Sequence, residues 1–172
     1  MTRRMRGTAA ILAAAALCAL LAGCAPEPAP TPTPTGFASE EEAFAAAEAT
    51  YRAYVDAVNA RRTAADSQPA PNDFLSGSAL QDSIDGAGLL EDAGRHIVGA
   101  TEAKSIERIA ASQSSATLAV CVDSSQTRVL DSHGADVTPT DRAETFLLRV
   151  EVVYAVPQPL ILRSDPDGDG SC

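Results

Sequence analysis

The sequence predicts an α+β fold, with N-terminal helices packed on a mainly antiparallel sheet. Two periodicities predict it. Apolar residues recur at three- and four-residue spacing from Phe44 to Val58, which is typical of a helix. They alternate with other residues from Leu118 to Val122 and again from Phe146 to Tyr154, which is typical of half-buried strands. Helical patterning followed by strand patterning is the α+β order, and 172 residues fit one domain.

The first helix is predicted over residues 40–61. Ser39 is its N-cap, and Glu42, three residues later, completes a capping box. Glutamates at the start and Arg61 and Arg62 at the end suit the two poles of the helix dipole. A loop with two prolines follows over residues 63–72.

A second capping box, Ser78 to Gln81, predicts the next helical segment. Gly86 and Gly88 interrupt its apolar pattern, so we expect either a bent helix or two short helices ending near Gly94.

Three further strands are predicted in the second half. Residues 97–110 are interpreted as a strand, and residues 129–130 as a short strand entering a hairpin turn at 131–134. Residues 160–162 form a final strand, which the preceding Pro157 and Pro159 restrict to a sheet edge.

The N-terminus predicts export. Three arginines precede an uncharged, Ala- and Leu-rich stretch over residues 8–21, as in a secretion signal. Leu21-Ala22-Gly23-Cys24 resembles the lipobox of bacterial lipoproteins. This resemblance implies that residues 1–23 are a signal peptide and that the Cys24 sulfur carries a diacylglyceryl lipid, anchoring the chain to the cell membrane outside the cytoplasm. The alternative is a retained membrane helix over residues 7–26.

Charge and composition narrow the partners. Loss of residues 1–23 removes three arginines and no acid, which changes the formal charge from −10 to −13. An acidic body is repelled by anionic headgroups, so the lipid is expected to hold the protein to the membrane. The same charge argues against a nucleic-acid partner. Residues 24–36 comprise the lipidated cysteine and a Pro/Thr-rich linker, which predicts a polyproline II spacer of roughly 35 Å before a domain over residues 37–172.

Several segments resemble small secreted lipoproteins of actinobacterial type. They are Ser39 to Phe44, Tyr51 to Tyr54, Ala119 to Asp123 and the long late strand. Those proteins resemble the nuclear transport factor 2-like cone fold, in which a curved sheet wraps over a long first helix. The resemblance covers about residues 38–165, and a generic α+β sandwich is the alternative.

The cone fold implies a pocket between the helix and the sheet. The candidates to line it are Tyr51, Tyr54, Phe146 and Tyr154, with Asp56 or Asp123 near its edge. The alternative is that the tyrosines only fill the core.

With Cys24 assigned to lipid, Cys121 and Cys172 remain as an even pair in an oxidising compartment, which predicts a disulfide; two free thiols are the alternative. Asp165 to Asp169 matches the first half of a calcium loop, but the closing glutamate is missing. We therefore expect a solvated acidic tail, with no metal and no cofactor.

No catalytic motif is present in the sequence. His96 and His133 lie near no serine–acid pair in a known order, and Lys104 is the single lysine. The function expected is a lipid-anchored extracytoplasmic domain that is non-catalytic and binds a protein or small ligand at the cell surface. The alternative is a small acid–base enzyme of isomerase or dehydratase type that uses the cone pocket.

Overall fold

The computed structural model describes residues 35–168 and Cys172. Cys24 and the rest of residues 1–34 lie outside the described residues, as do residues 169–171. Within the described part, the helices are α1 (Glu40–Thr63), a 3-10 helix (Pro71–Phe74) and α2 (Gly77–Asp92). The strands are β1 (Arg95–Val98), β2 (Glu102–Ala111), β3 (Ser115–Asp123), β4 (Arg128–Asp131), β5 (Thr145–Val153) and β6 (Leu160–Pro166).

The strands form two antiparallel sheets. The larger has the order β2-β3-β5-β6, and the smaller pairs β1 with β4. In the larger sheet Val120 lies opposite Ile106 on one side and Leu148 on the other. Register shifts interrupt β2 twice and the β5–β6 pairing once, and such irregularities bend a strand. The α+β class is confirmed, and β6 lies at the sheet edge as predicted.

Helix α1 begins where its cap predicts. The Glu42 backbone N–H donates to Ser39 Oγ at 3.1 Å. The Glu42 carboxylate accepts from the Ala38 N–H at 2.8 Å, one residue before the usual partner of a capping box. Arg61 and Arg62 lie in the last turn, and the helix ends two residues later than predicted, at Thr63.

Helix α2 does not begin at the predicted capping box. Its N-cap is Ser76, while the Ser78 hydroxyl donates to the Leu162 carbonyl at 3.3 Å. The start is set by the neighbouring strand, because the Ser76 N–H donates to the Ile161 carbonyl at 2.8 Å. The helix also continues through Gly86 and Gly88 as one element, so the two-helix alternative is wrong.

The single strand predicted over residues 97–110 is divided between two strands in different sheets. The chain breaks between β1 and β2 at Gly99, whose φ is +84°. A Cβ at Gly99 would overlap the Gln126 carbonyl, so only glycine fits this close approach.

Strand β3 is buried on both faces, whereas its alternation predicted burial of one. Leu118 and Val120 are 0% exposed and belong to the core under α1. Ala119 and Cys121, on the opposite face, are 7% and 8% exposed. Cys121 of this second face is bonded to Cys172, the pairing that the even number of remaining cysteines predicts.

The main core lies between α1, α2 and the larger sheet. Its fully buried members include Ala43, Ala47, Leu118, Val120, Val150, Val152 and Ile161. Arg108 of β2 fastens α1 to the sheet: it donates to Glu48 at 2.7 Å and to Glu41 at 2.9 Å, and its guanidinium lies 5.4 Å from the Phe44 ring centroid. Among the described residues, the buried core residues fall within residues 37–161, and this part of the chain forms a compact unit with its own core.

Candidate functional site

A cleft of about 670 Å³ opens between the end of α1, the 3-10 helix, α2 and β1. This is within the range of small-molecule sites. Its walls are mainly apolar, formed by Val58, Pro71, Ala87, Leu90 and Ile97. We call it the outer cleft.

The outer cleft gathers basic side chains in an acidic protein. Arg61 and Arg62 reach it from the last turn of α1, and Arg95 and His96 from the start of β1, against a single acid, Glu91. Within residues 35–168, none of the three arginines forms an ion pair with a carboxylate. Five other basic residues do: Lys104, Arg108, Arg128, Arg149 and Arg163.

Backbone carbonyls hold the two arginines at the end of α1 in place. Arg61 donates to the carbonyls of Ala65 and Ser67 at 2.6 and 2.9 Å, and its Nε is buried without a hydrogen-bond partner. Arg62 Nη1 donates to Thr101 Oγ1 at 2.8 Å and to the Gly99 carbonyl at 3.2 Å. The Arg62 guanidinium is thereby positioned while its charge stays unneutralised.

A smaller cavity of about 200 Å³ lies between α1 and the larger sheet, and we call it the inner chamber. Arg62, Tyr54 and Val58 line both this chamber and the outer cleft. Its polar lining residues are Tyr51, Tyr54, Arg62, Thr101, Ser124 and Ser164. Among the described residues no carboxylate side chain lines it, and Arg62 is the one charged residue there.

Tyr54 separates the cavities. It lines the outer cleft, the inner chamber and a third cavity of about 250 Å³ that also contacts Leu75, Asp82 and Ile161. Tyr51, on the same helix, is 3% exposed and lines the inner chamber and the third cavity. Neither hydroxyl hydrogen-bonds to any residue of the described chain, although a buried phenol normally has a partner.

Burial shifts the ionisation of these groups. Burial, and secondarily Tyr54, raise the pKa of Tyr51 well above its ordinary value of 10.0. Burial also raises the pKa of Tyr54, opposed by the positive charge of Arg62. The pKa of Arg62 is lowered by burial, with Tyr54 opposing. Both phenols are therefore neutral donors at physiological pH, and Arg62 remains a partly desolvated cation.

The four residues named as pocket candidates do not come together. Tyr51 and Tyr54 have rings 6.0 Å apart and line the cavities. Tyr154 packs edge-on against Phe37 with ring centroids 5.3 Å apart, and Phe146 is half-buried on β5. Neither Phe146 nor Tyr154 lines the three cavities described above.

The remaining candidates have other surroundings. Asp56 is exposed on α1. Asp123 ends β3, forms an ion pair with Lys104 at 3.1 Å and accepts the Ser125 N–H at 2.8 Å. Hydrogen bonds from the backbone and side chain of Ser125, and secondarily one from Lys104, lower the pKa of Asp123 to about 2. His133 lies in the turn after β4, and its backbone N–H donates to the Asp131 carboxylate.

The C-terminal segment is part of the fold. Cys121 and Cys172 form a disulfide with Cα atoms 5.8 Å apart. Asp165 pairs with Arg149 in the sheet register, and Asp167 accepts from Arg149 at 3.0 Å. These two aspartates are thus strand and ion-pair residues rather than a solvated tail, while Asp169 lies outside the described residues. Among residues 35–168 and 172, no group of three or more acidic, histidine or cysteine side chains is placed to hold a metal ion.

Sequence reasoning missed the basic side of the cleft. The sequence predicts Arg61 and Arg62 only as partners of the helix dipole and predicts no role for Arg95 or His96. A signal is present in the sequence of this strongly acidic chain: Arg61-Arg62 lies in the last turn of one helix, and Arg95-His96 comes shortly after the next. That the two pairs face one cleft depends on how α2 returns along the core.

Searches against protein-family models, curated proteins and solved structures return no match to this chain. Between residues 35 and 168, no helix combines the length and apolarity needed to cross a bilayer.

Proposed function

We propose that this chain is a bacterial lipoprotein whose single domain, held outside the cytoplasm by a lipid on Cys24, binds a small ligand in the outer cleft. The cleft carries the proposal, because it joins apolar walls to positioned polar groups at a volume typical of ligand sites. The domain is proposed to act by binding rather than by catalysis.

A cone-like, nuclear transport factor 2-like arrangement is the finer fold that we propose. Two features support it: a 24-residue first helix packs across an antiparallel sheet, and irregularities bend the strands of that sheet. In such an arrangement the cavities beside Tyr51 and Tyr54 occupy the space between helix and sheet.

The anchor is tested by metabolic labelling with a clickable fatty acid, followed by membrane fractionation. We expect label on the wild-type chain and its loss in Cys24→Ser, with the variant leaving the washed membrane pellet. Cys18→Ser is the matched control and should keep both label and fractionation. Label that persists in Cys24→Ser, or a wild-type chain without label, would refute the anchor.

Ligand binding is tested on residues 35–172, which contain the whole core. A thermal-shift screen of small organic molecules should yield compounds that raise Tm. Ala87→Trp, which places an indole in the outer cleft from the exposed side of α2, should abolish those shifts. Ile84→Trp, at an exposed position of α2 that does not line the cleft, is the control. Shifts that survive Ala87→Trp would place binding elsewhere.

A further inference from the structure

The cleft and the inner chamber differ in lining although they meet at Tyr54, Val58 and Arg62. The cleft is large and mainly apolar. The chamber is small and presents hydrogen-bond donors around one positive charge. A ligand that fills both must therefore carry a compact polar group at one end of an apolar body.

The charges specify the sign of that polar group. Arg62 is half-buried and has no acidic partner in the described chain, and neither have Arg61 and Arg95. A desolvated, unpaired guanidinium is unfavourable unless an anion approaches it. Arginine also matches carboxylate and phosphate oxygens geometrically.

The tyrosines supply the second, independent observation. Tyr51 is only 3% exposed and lines the chamber. Its hydroxyl donates to no described residue. Tyr54 likewise has no hydroxyl partner there and lies beside Arg62 in charge-interaction range. Two phenol donors and one guanidinium around one small cavity can satisfy the oxygens of one anionic group.

We infer that the ligand is a small organic anion, with a carboxylate or phosphate in the inner chamber between Arg62, Tyr54 and Tyr51 and an apolar body in the outer cleft. This inference rests on the proposed ligand-binding function and specifies its chemistry. Val58, Leu90 and Ile97 contact the apolar body. Arg95, an exposed cation that lines the outer cleft, attracts the anion during approach.

The test uses calorimetric titration of residues 35–172 with four probes: a naphthoate, a naphthyl phosphate, uncharged naphthamide and inorganic phosphate. We expect at least one naphthyl anion to bind about tenfold or more tightly than naphthamide, a ratio that falls as salt rises. Comparison of the two naphthyl anions identifies which oxyanion the chamber prefers. Inorganic phosphate, which lacks an apolar body, should bind more weakly than naphthyl phosphate.

Variants locate the anion. Arg62→Gln should weaken binding of the preferred naphthyl anion by about tenfold and leave naphthamide unchanged. Arg52→Gln is the matched control, because Arg52 is exposed on the same helix, has no ion pair and lines none of the cavities. Arg62→Gln also removes the hydrogen bonds of Arg62 to Gly99 and Thr101. Tyr54→Phe is therefore a second test of anion binding, because it removes one hydroxyl without breaking any hydrogen bond in the described chain.

Three results would overturn the inference: naphthamide binding as tightly as the anions, neither naphthyl anion binding, or full affinity retained in both Arg62→Gln and Tyr54→Phe. Naphthamide that binds as tightly as the anions, and loses that binding in Ala87→Trp, would refute the anion alone and leave the ligand-binding cleft supported. The two failures are therefore distinguishable.

Discussion

Single residues set the limits of this fold where the backbone approaches itself. Gly99 separates the two sheets at a φ of +84°, against the carbonyl of Gln126. Gly134 has nearly the same φ, +81°, in the turn after β4, but open space surrounds it. Alanine variants at these two glycines therefore distinguish the cost of backbone strain from the cost of steric overlap.

We predict that Gly134→Ala lowers the free energy of unfolding by about 1–2 kcal/mol, the strain of a left-handed alanine. Gly99→Ala should lower it by about 3 kcal/mol or more, because the added Cβ also displaces backbone. Urea unfolding followed by circular dichroism measures both. Equal losses in the two variants would contradict the close approach at Gly99.

Asp123 makes stability depend on acid. Its pKa in the folded protein is about 2, below the ordinary 3.8, so the charged carboxylate favours folding. This contribution is complete above about pH 4 and is lost as the pH falls through about 2. Asp123→Asn should therefore be less stable than wild type near neutral pH, with a difference that shrinks between pH 4 and pH 2.

Urea unfolding over that pH series measures the difference. Asp56→Asn is the control, since Asp56 is exposed and forms no ion pair or side-chain hydrogen bond within residues 35–168. A constant difference between Asp123→Asn and wild type across the series would show that the ion pair and the turn do not favour the carboxylate.

At the scale of elements, α2 is the weakly held wall of the outer cleft. Ala79 is the only buried residue of α2, while Ile84 and Leu89 are 49% and 73% exposed. Its two interior glycines lower helix propensity, and nothing lies within 4 Å of where their Cβ atoms would be.

Alanine at either glycine should stabilise α2. We predict that Gly86→Ala and Gly88→Ala each raise the free energy of unfolding by about 0.5–1 kcal/mol, because alanine loses less conformational entropy and meets no atom. The midpoint of urea unfolding should rise with no change in slope. A loss of stability would mean that the glycines serve a bend or a contact in α2.

The whole molecule is closed by the bond between β3 and the chain end. Cys121 and Cys172 are separated by 51 residues, and cross-linking a loop of that length stabilises a protein by about 4 kcal/mol in the chain-entropy description. Its Cys121 end lies on the second face of β3 and is 8% exposed.

We predict that Cys172→Ser destabilises the domain by up to about 4 kcal/mol, and that Cys121→Ser with Cys172→Ser together are no worse than either alone. Thermal unfolding of wild type with and without reductant is the control, and reduced wild type should match the variants. Unchanged Tm after reduction would show that the bond contributes nothing to folding.

The sequence by itself determined the element types, because helix and strand periodicity and the Ser39 cap act over a few residues. It also carried the lipobox resemblance. Tertiary structure alone decided where α2 begins, because Ser76 hydrogen-bonds to β6. It also decided that both faces of β3 are buried. It also decided the candidate site. Tyr54, Arg62 and Arg95 meet only after α2 and β1 pack back against α1, and such long-range packing leaves no local pattern to read.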